Sequence, residues 1–200
     1  MKKLFVIGVT LVLAGGLYGQ GSVGLRGGLN YGIFNPDVEG VDNFTGIGYN
    51  VGLEAGFKPM PSIGIDVGVA YYIGKYSTTI DDTDFEMTIN SIYIPLAFRY
   101  IFGAAPTMNP YVKLGGAAMM QNSGETTTGE EDPVDIPDDD LETDFYILGG
   151  FGVDIGATPT ISVRPELVFQ YNLTADDDDT EDASESGYDI LFSLGFYYAF

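Results

Sequence analysis

The sequence predicts an all-β protein: an eight-stranded antiparallel up-and-down transmembrane β-barrel after a cleaved signal peptide. Three observations carry this. Apolar and polar residues alternate with period two in eight separate segments, each close to the about 9–11 residues that a tilted membrane-crossing strand needs. The connections alternate as well, long and acidic on one side, short and uncharged on the other. Glycine is abundant at 28 residues, beside 14 tyrosines and 13 phenylalanines, a composition suited to many short strands rather than to helices.

The chain divides into a signal peptide, residues 1–20, and a barrel domain, residues 21–200. Met1-Lys2-Lys3 supplies a positive start, and Leu4 to Leu17 is apolar apart from glycines and Thr10. Tyr18, Gly19 and Gln20 then offer a cleavage point near residue 19 or 20. The apolar run is shorter than the roughly 20 residues of a spanning helix, so a removable leader is expected rather than an anchor.

The strands follow in order. Val23 to Ile33 sets Val23, Leu25, Leu29, Tyr31 and Ile33 against Gly24, Arg26, Gly28 and Asn30. From Ile47 to Lys58, Ile47, Tyr49, Val51, Leu53, Ala55 and Phe57 face away from Gly48, Asn50, Gly52, Glu54, Gly56 and Lys58. Ile63 to Ile73 carries Asp66 on its polar face, Ile92 to Phe102 carries Arg99, and Tyr111 to Gln121 carries Lys113. Phe145 to Ile155 carries Asp154, and Ile161 to Leu173 carries Arg164 and Glu166. The last segment, Tyr188 to Phe200, alternates without a break. Pro59 to Ser62, Gly103 to Asn109 and Thr158 to Thr160 form the short turns; Asn35 to Gly46, Ser77 to Ser91, Asn122 to Asp144 and Thr174 to Gly187 form the long loops. Both ends of the mature chain then fall on the short-turn, periplasmic side, with the long loops outside.

A soluble barrel would turn its apolar row inward and its polar row to water. The polar row here is charge-balanced, Arg26, Arg99, Lys113 and Arg164 against Glu54, Asp66, Asp154 and Glu166, whereas the surplus acid sits in the connections. Aromatics of the apolar row gather at the strand ends. Tyr31, Tyr49, Tyr71, Phe145, Tyr171 and Tyr188 lie toward the long loops, and Phe57, Phe98, Tyr100, Tyr198 and Phe200 toward the turns. Two such rings are the interfacial girdles of a barrel in lipid.

The terminal strand, ending on Phe200, resembles the C-terminal insertion signal of bacterial outer-membrane barrels. Tyr93-Ile-Pro-Leu-Ala-Phe-Arg-Tyr100 is similar to the fourth strand of PorT-like barrels of Bacteroidetes-type bacteria, and Pro110-Tyr-Val-Lys-Leu-Gly-Gly116 and Leu148-Gly-Gly-Phe-Gly-Val-Asp-Ile-Gly156 resemble phrases of the same kind. By these motifs residues 21–200 resemble the small outer-membrane β-barrel domain family, OmpA- and OmpX-like and porin-like. The resemblance implies the outer membrane of a Gram-negative-type bacterium, contact with its lipid, and insertion through the barrel-insertion machinery by way of the C-terminal strand. The peptidoglycan-binding domain that follows some relatives is not expected here, and a monomer is.

Composition bounds the chemistry. Without cysteine there is neither a disulfide nor a thiolate metal site, and without histidine the usual general base is missing. A net charge of −21 disfavours nucleic acid. No catalytic residue and no cofactor are predicted. The eight inward charges are expected to form one lumen cluster, with Arg26 beside Glu54, Asp66 beside Arg99, Lys113 beside Asp154, and Arg164 and Glu166 near Asp154. An eight-stranded interior is only wide enough for side chains, so a structural plug is expected; a narrow passive channel for ions or small solutes is the alternative. The acidic runs Asp81 to Glu86, Glu130 to Asp132, Asp138 to Asp140 and Asp176 to Asp182 could attract divalent cations diffusely. Asp82, Asp84 and Glu86 have the spacing of a calcium loop's first ligands, but Met87 stands where glycine is needed and Tyr93 where the closing glutamate is needed. No defined metal site follows.

Overall fold

The computed structural model describes residues 21–35, 43–80, 83–103, 105, 107–129, 132–137, 141–174 and 186–200. The expected signal peptide and most of the acidic runs, including Asp81, Asp82, Glu130, Glu131, Asp138 to Asp140 and Asp176 to Asp182, lie outside the described residues.

The strands are Gly21–Asn35 (β1), Phe44–Met60 (β2), Ile63–Ile80 (β3), Thr83–Ile101 (β4), Met108–Thr128 (β5), Val134–Asp135 (β6), Thr143–Gly156 (β7), Ile161–Asn172 (β8) and Ser186–Ala199 (β9). Eight of them pair antiparallel around a ring in the order β1-β2-β3-β4-β5-β7-β8-β9, and β9 returns to β1. Within the ring, closure gives every long strand a partner on both sides. The two-residue β6 stands outside the ring, pairing Val134 with Thr126 and Asp135 with Glu125.

Alternation in sequence becomes alternation of burial. Along β9, Asp189, Leu191, Ser193, Gly195 and Tyr197 are buried, while Tyr188, Phe192, Leu194, Phe196 and Tyr198 are exposed on the outer wall. The same inversion, polar in and apolar out, holds around the ring: Leu25, Leu53, Phe98, Leu114, Phe151 and Phe169 all face outward. Such a wall needs an apolar solvent.

The strands extend beyond the segments that apolar alternation marks. The residues 77–91, expected as a long loop, instead belong largely to a hairpin in which Ser77 pairs with Glu86 and Thr79 with Asp84. Likewise β5 continues to Thr128, past Asn122, which the register skips as Asn90 pairs with Ser123 and Ser91 with Gln121. The cause is solvent. Above the lipid band the outer face of a strand meets water, so Thr, Ser and Glu replace the apolar row while backbone pairing goes on. At about 3.3 Å per residue and a tilt near 40°, the 12 residues of β8 rise roughly 30 Å, the depth of a bilayer's hydrocarbon core. On the same geometry the 21 residues of β5 rise roughly 50 Å. One wall of the barrel therefore stands well above the other. Gly129 ends β5 at φ 60°, a left-handed position that glycine takes without strain, and its N–H donates to the Asp84 carbonyl at 2.8 Å.

Candidate functional site

The inward positions fill the lumen in layers. Nearest the short turns is a layer of charge. Arg26 Nη1 lies 3.3 Å from Glu54 Oε2 and 3.8 Å from Glu166 Oε2, and its Nε donates to Ser193 Oγ at 3.1 Å. Lys113 Nζ donates to Glu166 Oε2 at 2.6 Å. Arg99 grips Asp66 through Nε and Nη2, the latter at 2.9 Å. Arg164 reaches Asp154 at 3.5 Å and stands 4.0 Å from both Glu54 and Asp66. Every one of these eight side chains is buried, and the contacts join them into one connected network. Burying charges is tolerable only with such mutual pairing.

Two partners differ from the expected pairs. Lys113 is bound to Glu166, not to Asp154, and Asp154 takes Lys58 at 3.3 Å together with Arg164. The register gives the reason: Lys113 faces Gly150 across the β5–β7 ladder, while Asp154 faces Asn109, four residues nearer the turns. Glu166, level with Gly152 on the far side of β7, reaches over that glycine toward Lys113.

Aromatic hydroxyls complete the layer. Tyr111 donates to Glu166 at 2.5 Å and Tyr197 to Glu54 at 2.6 Å. The Arg164 guanidinium lies 3.7 Å from the centroid of the Tyr197 ring, a cation–π distance. Glycine makes this packing possible: Gly195 pairs with both Arg26 and Arg164, and a Cβ there would come within 2.3 Å of Tyr197 Cε2. Tyr111, Tyr197 and Lys58 were not singled out from the sequence, although Tyr111 shares the parity of Lys113, Lys58 that of Glu54, and Tyr197 stands in the smaller row of the alternation from Tyr188 to Phe200. A tyrosine inside a membrane barrel carries no signal distinguishing it from the girdle tyrosines except that parity.

Above the charges an apolar layer is built from Tyr72, Tyr93, Met119, Leu148, Val168 and Leu191, all buried. Higher still the lumen turns polar without turning basic. Tyr93 donates to Gln170, which donates to Asp189, both at 2.9 Å. Asp144 accepts from Gln121, Asn172 and Thr174, each at 3.0 Å. A recess of about 340 Å³ opens here toward the long loops, and one of about 450 Å³ opens at the other end, between Lys58, Asp154, Arg164 and the turn at Thr158 to Thr160. The filled layers separate the two.

Residues 5–200 match the outer membrane protein beta-barrel domain family. The chain belongs to this family. It is accordingly a β-barrel protein of the bacterial outer membrane, its apolar wall in contact with lipid. Among solved structures it is similar to a major outer membrane protein from Thermus thermophilus, at 16% identity and a TM-score of 0.54, covering 88% of this chain and 99% of that one. It is also similar to the outer membrane protein OprG from Pseudomonas aeruginosa, at 16% identity and a TM-score of 0.52, covering 90% and 96%. At these identities the likeness concerns the fold. No curated protein sequence matches the chain.

In this outer-membrane barrel, the aromatics expected to form the two girdles are set on the lipid side. Tyr31, Tyr49, Tyr71, Phe145, Tyr171 and Tyr188 are exposed toward the long-loop end. At the other end Phe98, Tyr100, Tyr198 and Phe200 are exposed, and Phe57 is half-buried.

Proposed function

We propose that this barrel has a structural or surface-interaction role without enzymatic activity, its lumen closed by its own charged side chains and its acidic connections facing the medium. The single observation that supports closure is the continuous network from Lys58 through Asp154, Arg164, Glu54, Asp66 and Arg99 to Arg26, Glu166 and Lys113, packed around Tyr111 and Tyr197. Against catalysis stands the lack of histidine and cysteine, together with the engagement of every carboxylate in that layer by a cation or a tyrosine, which leaves no free base. Closure of the ring by β9 onto β1 fits insertion through the C-terminal strand as the step that seals the barrel, and it fits a monomer. Divalent cations are proposed to gather diffusely at the acidic connections.

Planar-bilayer recording on the refolded barrel tests closure. No open-state current is expected, and reproducible unitary steps would replace this reading with the narrow passive channel. Orientation is tested by adding proteinase K to intact cells. Because β5 runs to Thr128 and β7 starts at Thr143, cutting is expected between residues 129 and 142, with the eight ring strands protected. Cleavage in intact cells at Pro61–Ser62 or Thr158–Thr160 instead would invert the topology.

A further inference from the structure

Among the described residues, the recess at the long-loop end is the part of the lumen where acid is not matched by base. Apart from Lys2 and Lys3, the lysines and arginines of the chain are Arg26, Lys58, Lys75, Arg99, Lys113 and Arg164. Five of them belong to the charged layer near the turns, and Lys75 is exposed in β3. None lines this recess, which is bordered by Asp144, Asp189 and Glu142. The donors that meet the two buried or half-buried aspartates, Gln170 to Asp189 and Gln121, Asn172 and Thr174 to Asp144, are all neutral. They orient the carboxylates without neutralising them, and an uncompensated buried charge is costly.

The walls are aromatic. Tyr72, Tyr76 and Tyr146 line the recess. Tyr76 is seated over glycine: a Cβ on Gly74 would come within 2.6 Å of its ring, and one on Gly32 within 2.6 Å of the ring and 2.5 Å of Asp189 Oδ1. The two glycines therefore let a tyrosine face and a carboxylate converge on one space. At the floor, Ser91 is fully buried, lines the recess, and has no hydrogen-bond partner for its hydroxyl. A carboxylate, three aromatic walls and a spare hydroxyl are what a small organic cation requires. A metal ion is less well served, since no group of three or more acidic side chains among the described residues is arranged to hold one.

We propose that this recess is a binding site for a small organic ammonium ion, with Asp189 and Asp144 supplying the countercharge and Tyr72, Tyr76 and Tyr146 the aromatic enclosure. Its volume of about 340 Å³ suits a compact amine or quaternary ammonium compound. The site lies above the filled layers, so it does not depend on whether the lumen conducts.

Isothermal titration of the refolded full chain in detergent micelles tests this, with choline as the probe. Its uncharged isostere, in which a tert-butyl group replaces the trimethylammonium, is the control. Saturable one-site binding of choline is expected, weakened by about tenfold or more for the isostere and for Asp189→Asn. Glu86→Gln, which removes an exposed carboxylate from the outer face of the same wall, is expected to leave binding unchanged. Should Asp189→Asn fail to refold, Tyr146→Leu takes its place, with a loss again expected. Equal binding of the isostere, equal weakening by Glu86→Gln, unchanged binding in Tyr146→Leu, or no saturation with choline would each overturn the proposal. So would displacement of choline by magnesium at matched ionic strength, which would point to a metal.

Discussion

Replacing Arg99 with alanine is expected to destabilise the folded barrel by about 3–5 kcal/mol, somewhat less where lumen water enters, because the change leaves Asp66 buried beside a cavity. Arg99 is 1% exposed, Asp66 is 2% exposed, and the guanidinium holds both carboxylate oxygens. Arg164, 4.0 Å away, is too far to take over fully. The comparison that gives the result meaning is Lys75→Ala. Lys75 is exposed and pairs in register with Thr88 on the tall wall, so its removal should move the urea midpoint little. Equal shifts for the two variants, in refolding followed by heat-modified gel migration, would mean that the charged layer does not contribute as a paired cluster.

An effect of comparable size is expected for Glu166→Leu, with a distinctive rescue. Glu166 is where Lys113, Tyr111 and Arg26 converge. Arg26 retains Glu54 when Glu166 is lost, but Glu166 supplies the ion pair of Lys113. The single variant therefore leaves a buried ammonium without its carboxylate, at a cost of about 3–5 kcal/mol. Adding Lys113→Met removes that ammonium, and apolar replacement of a buried pair is often close to neutral. The double variant should therefore recover most of the loss, so that the two changes are strongly non-additive in the mutant cycle. A double variant no more stable than Glu166→Leu alone would deny that the two side chains act as a pair.

The barrel was legible because lipid imposes a strict rule on sequence. A residue that faces hydrocarbon must be apolar and its neighbour must not be, so Tyr188 to Phe200 could be assigned to faces residue by residue. That rule ends where the lipid ends. Ser77 to Thr79 and Thr83 to Thr88 are strand because their backbones pair, and backbone pairing leaves no mark on the side chains. Inside the lumen, parity showed which charges point inward but not which of them meet. Tilt displaces register partners along the axis, and side chains as long as Lys113 and Glu166 reach past the nearest residue to a better one. The acids at the loop end escaped notice for a different reason. Asp189 is the one acid of β9 and Asp144 sits at the start of β7, far along the strand from Asp154, and their common recess arises only when β7 and β9 are brought round the ring.

The vertical separation of charge has a consequence for any ion at the barrel's mouth. With the lumen's cations confined near the turns and its surplus acid near the loops, the axis carries a standing field. An anion approaching from the loop side would be turned away by the acidic rim before it reached a guanidinium. A cation would be drawn inward, held among the tyrosines, and then stopped by the apolar layer and the arginines behind it. Each sign of ion thus meets its own barrier at a different depth. A rearrangement that loosened one layer would therefore change the passage of one sign of ion more than that of the other.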